Sequence, residues 1–270
     1  MWYRGQSNVQ HKLTPSLFWP GVLVEETSIN WHFMMRAPQY RDRCRSSFDW
    51  LCLMRHYGMP SRLLDWSENP LVALYFACQN PDIEEGSFFV LNTRRLNQGV
   101  RGSLEGWASI CAPNAMPVAA RAELADVCAI EEYLHRLERL DTSNGHNMEG
   151  IGTLIKGLES RDADCLEYIS SPVAAFPYRS DNRQIVQQSV FTIHGGKRCS
   201  QHFDQASALP SPLDLEDLDA RLPTSENFLA KVVVRNKARM LVELAQFGIS
   251  GASLFPDLDH EVDWLKNIWR

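Results

Sequence analysis

The chain has 270 residues, 44% of them hydrophobic and 22% charged, with a formal net charge of -6 and a pI near 5.8. That is enough chain and enough apolar content for a full core, which sets disorder aside. The acidic balance argues against wholesale binding to nucleic acid or an anionic membrane, although a local basic patch stays compatible with it. Seven cysteines are scattered and never spaced C-x-x-C, so reduced thiols in a cytoplasmic protein are expected rather than a disulfide framework or a zinc site. No run of about 18 apolar residues occurs, so neither a membrane partner nor a signal segment is expected. The abrupt start on a strand reads as a chain whose upstream residues are missing.

In chain order, Trp2 to Gln6 reads as a short aromatic strand with Arg4 and Gln6 on one face and Tyr3 on the other. Glu25 to Tyr40 is a helix ended by Pro38. A second helix runs from the capping residues Ser46 or Ser47 to Tyr57 and stops at Gly58, with Trp50, Leu53, Met54 and Tyr57 as its buried stripe. His56 falls in the last turn, where a cation suits the helix dipole. After Met59-Pro60-Ser61, the strand S-R-L-L-D-W sets Arg62, Leu64 and Trp66 on one face and Leu63 and Asp65 on the other.

Asn69 caps a helix opened by Pro70 and continued by L-V-A-L-Y-F-A-C, which has no polar face. Such a helix belongs inside, and a buried N-terminus beside Arg62 is an anion site in waiting. A strand from Gly86 to Asn92 follows. Pro117 opens one long amphipathic helical window up to Leu140, and a second helix is expected near Leu154 to Ser160. Asp181 caps a turn carrying Arg183 that leads through Gln187 and Gln188 into the strand S-V-F-T-I-H. Residues 206–227 read as an acidic, solvated linker, and the chain closes with strand 230–234, helix 236–247 and a last helix into Trp269. The architecture so read is α+β: one domain over 1–270, a mixed central sheet with a buried helix, and a mainly helical insertion at about 100–178.

Four pieces are more specific together than alone: Tyr3-Arg4-Gly5-Gln6; the block within Cys52 to Cys78 that runs H-Y-G-M-P-S-R-L-L-D-W-S-E-N-P-L-V-A-L-Y-F-A; N-R-x-x-x-Q-Q from Asn182; and G-I-x-x-A-S-L-F-P-D-L-D from Gly248. They resemble the FRG-domain family of bacteria and their mobile elements, named for a Phe/Tyr-Arg-Gly motif. Ser189 departs from the Gly common in that family after the paired glutamines. The layout is similar to the ADP-ribosyltransferase superfamily, whose first strand carries an Arg or His that holds NAD. A second block there carries a Ser/Thr or Tyr followed by a helix, and a third strand start carries the catalytic Glu.

That resemblance implies NAD as a substrate, an acceptor protein or nucleic acid, and a role in toxicity or phage defence. It places Arg4 first, Arg62 to Phe76 second, and Gln187 or Gln188 third. The chemistry would need cations for the pyrophosphate, an aromatic wall, and a carboxylate near the ribose. Arg4 and Arg62 answer the first need; Tyr57, Trp66 or Tyr75 the second; Asp65, Glu68 or Gln188 the third, with His56, Gln6 and Arg183 as partners. Asp65 reads equally well as a structural ion-pair partner of Arg62 or Arg4. A second reading keeps the same pocket as a non-catalytic module for a nucleotide or nucleic-acid end. A third, weaker one makes Asp257, Asp259 and His260 a metal-dependent nuclease or phosphatase, against which they serve as caps of the last helix.

Overall fold

A computed structural model describes residues 1–19, 22, 25–99, 115–127, 129–143, 151–179, 181–197 and 210–256. Strands β1 (Trp2–Gln6), β2 (Leu63–Ser67), β3 (Gly86–Leu91), β4 (Val173–Ala175), β5 (Ser189–Ile193) and β6 (Leu229–Val234) form one sheet in the order β4-β5-β2-β1-β3-β6. The helices are α1 (Glu26–Arg36), α2 (Ser47–His56), α3 (Pro70–Cys78), α4 (Thr93–Gly99), α5 (Met116–Glu123), α6 (Ile130–Ser143), α7 (Ile151–Glu159), α8 (Ala163–Ser170), α9 (Asn182–Val186), α10 (Leu215–Ala220), α11 (Lys237–Gln246) and α12 (Gly251–Leu254).

The α+β class holds, and every strand pairing is antiparallel where a mixed sheet is expected. The long helical window splits into α5 and α6 around a short 3-10 turn at Leu124–Asp126, and the region expected to be helical also contributes edge strand β4. The acidic linker holds helix α10, started by Asp214, whose side chain accepts from the Glu216 N–H at 2.8 Å.

Helix α3 lies flat on the sheet because two strands offer it glycine. A Cβ on Gly5 would sit 1.8 Å from the Ala73 carbonyl oxygen, and one on Gly86 2.4 Å from that of Ala77. Alanines on the helix and glycines under it let backbone approach backbone. Helix α11 covers α3, with Met240 and Leu241 against Ala77, Cys78 and Val234. The apolar run accordingly buries Val72, Ala73, Tyr75, Ala77 and Cys78. Its first turn, however, is open: Pro70 and Leu71 are exposed, so the expected buried N-terminus is not there. Phe89, on the sheet face opposite Gly5, joins Trp2, Leu64 and Trp66 in the main core with Leu51 and Met54 of α2 and Val118 of α5.

Candidate functional site

Strand β1 binds its two neighbours unequally. Five residue pairs, from Trp2↔Leu91 to Gln6↔Ser87, join it to β3, but only Tyr3↔Ser67 joins it to β2. Beyond that pair the two strands part, and the carbonyl of Asp65 loses a backbone donor from β1. The Arg4 guanidinium takes its place: Nη1 donates to the Asp65 carbonyl oxygen at 2.6 Å. A cavity of about 360 Å³ opens at this split, within the usual size of a small-molecule site.

Six elements converge on the cavity. β1 supplies Tyr3, Arg4 and Gly5, and β2 supplies Asp65, Trp66 and Ser67. Val72, Ala73 and Phe76 come from the flank of α3, and Arg55 and His56 from the last turn of α2, with Gly58 beyond it. Arg183 and Gln184 of α9, Gln187 after it, and Ser189 and Phe191 of β5 close the ring.

Local chemistry fixes these positions. Helix α2 begins in a full capping box, Ser46 and Asp49 each accepting from the other's backbone N–H, and ends at Gly58 with φ of +78°, a left-handed conformation that suits glycine. That sets Arg55 and His56 in its final turn. Ser67 Oγ donates to the Gln187 carbonyl at 2.7 Å and accepts the Asn69 N–H at 2.9 Å, tying the end of β2 to the α9–β5 turn. Asn69 Oδ1 accepts from the Leu71 N–H at 2.9 Å, as its capping role requires.

The electrostatics are lopsided. Arg4, Arg55 and Arg183 face one carboxylate, Asp65. Burial alone would raise the Asp65 carboxyl, but Arg55, at 2.5 and 2.9 Å from Oδ2, and then Arg4 hold it below the usual carboxylate range. Desolvation pushes Arg4 down to about 10, opposed by Asp65 and aided by Arg55, so it stays charged at neutral pH. Its Nε is buried without a hydrogen-bond partner among the described residues. The Arg183 guanidinium lies 4.7 Å from the Phe255 ring centroid, stacked rather than neutralised. His56 Nδ1 sits 3.3 Å from Asp181 Oδ2 at the rim.

Trp66 forms a rigid wall, 3% exposed, with its Nε1–H donating to Thr192 Oγ1 at 3.1 Å. The Thr192 hydroxyl lies 3.2 Å from His194 Nε2. Burial pushes His194 down to about 3, so this imidazole is neutral, its Nε2 accepting a hydrogen bond from the Thr192 hydroxyl while its other nitrogen serves the Leu213 backbone.

Of the residues expected in one pocket, Arg4, His56, Asp65, Trp66 and Arg183 meet there. Four do not. Arg62 is fully buried elsewhere, its Nε and Nη2 donating to Glu26 at 2.8 and 2.5 Å and its Nη1 to the carbonyls of His194 and Gly196. With all three nitrogens bonded and no exposed surface, this guanidinium is out of reach of a ligand. Gln6 is 7% exposed and spends its amide N–H on the Lys12 carbonyl at 3.0 Å. Tyr57 points away into a second, larger cavity, its hydroxyl 2.6 Å from that of Tyr40. Gln188 adopts a left-handed φ of +48°, which turns its side chain out and leaves Gln187 to line the pocket.

Two further assignments move as well. Phe76, not Tyr75, faces in from α3, and Glu68 pairs with Arg179 outside the cavity. Asp257, Asp259 and His260 lie outside the described residues. Arg55 was missed from sequence, although a charged residue ending the apolar run W-L-C-L-M is a visible signal. Gln184 and Phe76 gave no such sign.

No curated protein and no solved structure matches the chain. A family model does match: residues 1–86, which contain β1, α2, β2, α3 and the first residue of β3, fit that of the FRG domain. Residues 1–86 are thus similar to the FRG domain, and this matched segment supplies the arginine, the carboxylate and the apolar helix of the cavity.

Proposed function

We propose that the cavity binds a nucleotide of the NAD type and that the protein is an enzyme of ADP-ribosyltransferase character, acting as a toxin or phage-defence effector. The observation that carries this reading is the meeting of Arg4 on β1, Ser67 at the end of β2 and Gln187 at the start of β5 around one split in the sheet. Three separated segments that the superfamily layout assigns to one site line one wall. Three arginines against one carboxylate suit a pyrophosphate, and Arg4 keeps an unused buried N–H beside it. Phe76, Phe191 and Trp66 supply an apolar surface for a ring.

In that role Arg4 and Arg183 would clamp the phosphates while Arg55 holds Asp65 in place. Cleavage of a glycosidic bond to nicotinamide develops positive charge on the ribose, and Asp65 is the carboxylate able to face it. His56, oriented by Asp181, stands at the rim as the base for an incoming nucleophile.

A second reading, a module that holds the nucleotide without turnover, is favoured by one specific fact: Asp65 is already committed to Arg55 and Arg4. Calorimetric titration with NAD, paired with a nicotinamide-release assay, tests both. The enzyme reading expects binding and release, each lost in Arg4→Ala. Binding without release supports the module, and no binding sinks both.

A further inference from the structure

Behind His56 the molecule opens into a second cavity of about 1130 Å³, bounded by α1, α2, the 38–46 connection and the α5–α6 pair. His56 lines both cavities, so the two share a wall at the residue that stands ready as a base. The larger space exceeds the usual volume of a small-molecule site and is built differently from its neighbour.

Its rim carries aromatic rings that the core does not use. Trp31 is 62% exposed, Tyr57 55% and Tyr178 67%. Trp31 and Tyr178 have no ring or hydrogen-bond partner among the described residues. Arg43 and Arg45 are exposed beside them, and neither side chain has an ion-pair partner there.

Five carboxylates also line the wall, and most of them are already engaged. Asp49 caps α2, accepting from the backbones of Arg45 and Ser46. Glu123 and Asp126 both hold Arg136, at 2.9 and 3.5 Å, and Asp181 caps α9 while pairing with His56. Asp42 alone has no partner among the described residues. Once the internal pairs are set aside, the surface left for a visitor is two arginines, the unpartnered rings of Trp31 and Tyr178 and the exposed part of the Tyr57 ring, whose hydroxyl stays with Tyr40, against one acid. Flat rings and guanidinium groups in one open groove are what unpaired bases on a phosphate chain require.

We propose that this second cavity is an acceptor groove for single-stranded nucleic acid, with bases stacked on Trp31, Tyr57 and Tyr178 and phosphates met by Arg43 and Arg45. The word acceptor rests on the nucleotide reading of the first cavity; the binding does not. A duplex, whose bases are already stacked, lacks the exposed faces these rings would take.

The test is fluorescence anisotropy with fluorescein-labelled DNA and RNA single strands of about 12 nucleotides, the matching duplexes, and a labelled arginine-rich peptide, over a salt series. Single strands of DNA, RNA or both are expected to bind, more tightly than duplex. The Trp31→Ala/Tyr178→Ala variant should lose at least about tenfold in affinity. The Arg43→Ala/Arg45→Ala variant should flatten the log–log salt slope by about 1.4. All four side chains are on the surface, and circular dichroism checks that the variants remain folded. No single-strand binding, duplex binding as tight as single-strand binding, or affinity unchanged in both variants overturns the proposal. Peptide binding lost in those variants without oligonucleotide binding overturns it too and gives the groove to a protein acceptor. Titrating the intact chain with NAD beside the oligonucleotides separates the two readings: oligonucleotide binding without NAD binding fails the first cavity and keeps the second, and the converse does the reverse.

Discussion

Two arginine–carboxylate clusters flank β2 and do opposite work. At its start Arg62, buried and saturated, holds Glu26 and two carbonyls. At its centre Asp65 is shared by Arg55 and Arg4, with its side chain 40% exposed to a cavity and one Arg4 nitrogen unused. The same pair of residue types is therefore structural in one place and site-forming in the other. What separates them is completeness: a closed network leaves nothing for a ligand, while an incomplete one beside open space does.

The largest effect should come from breaking the closed cluster. Arg62→Ala strands Glu26 in the core and is expected to cost about 3–5 kcal/mol in urea unfolding, whereas Arg62→Met with Glu26→Leu should recover most of it. If the single variant is as stable as the parent, the closed network is not structural. Gly5→Ala stands close behind, at about 3 kcal/mol or more, because its Cβ would meet the Ala73 carbonyl at 1.8 Å and that neighbour is backbone. Thermal unfolding reads this directly, and an unshifted Tm would contradict the close packing of α3 on β1.

Next comes pH. His194 is held near 3 in the folded chain by burial but titrates near 6.5 when unfolded, so the unfolded state gains the proton first and stability falls as pH drops through 6.5. The loss should reach about 2 kcal/mol at pH 5, on a slope of up to about 1.4 kcal/mol per pH unit. His194→Gln should flatten that limb of the stability curve, and a limb that stays equally steep would assign it to other groups. At the open cluster Arg55→Ala is expected to let the Asp65 carboxyl rise toward its ordinary range, followed by carboxyl carbon NMR titration. Asp65 is depressed when folded, so its own contribution to stability is present above its unfolded pKa and lost as pH falls below it.

The smallest change in stability should be that of Arg4→Ala, at the low end of about 1–3 kcal/mol, since the Asp65 carboxylate keeps Arg55 and only the Asp65 carbonyl, which opens onto the cavity, loses its donor. That variant sharpens the contrast, as it should still abolish nucleotide binding. A large loss of stability in Arg4→Ala would make the open cluster structural after all.

Reading the chain alone located the helix cap at Asn69, a capping serine at Ser46 or Ser47, the glycine stop at Gly58 and the aromatic strand at Trp2, because each depends on neighbours within a few residues. It also brought Arg4, His56, Asp65, Trp66 and Arg183 toward one place. The split of residues 117–140 into two helices and the strand at Val173 were not legible, since burial against the sheet outweighed local periodicity. Nor was the choice between Gln187 and Gln188, which turns on one left-handed φ at a strand start.

The stretch from Arg55 to Cys78 states this division most plainly. Alternation along β2 says that Arg62 and Asp65 point to different faces, a short-range fact carried by backbone geometry. Whether a face holds a waiting carboxylate or an opening depends on Glu26, 36 residues upstream of Arg62, and on a strand pairing that breaks after Tyr3↔Ser67. Charge type and local geometry are written in order along the chain, but the completeness of a charge's surroundings is a sum over distant segments, and it exists only once they have packed.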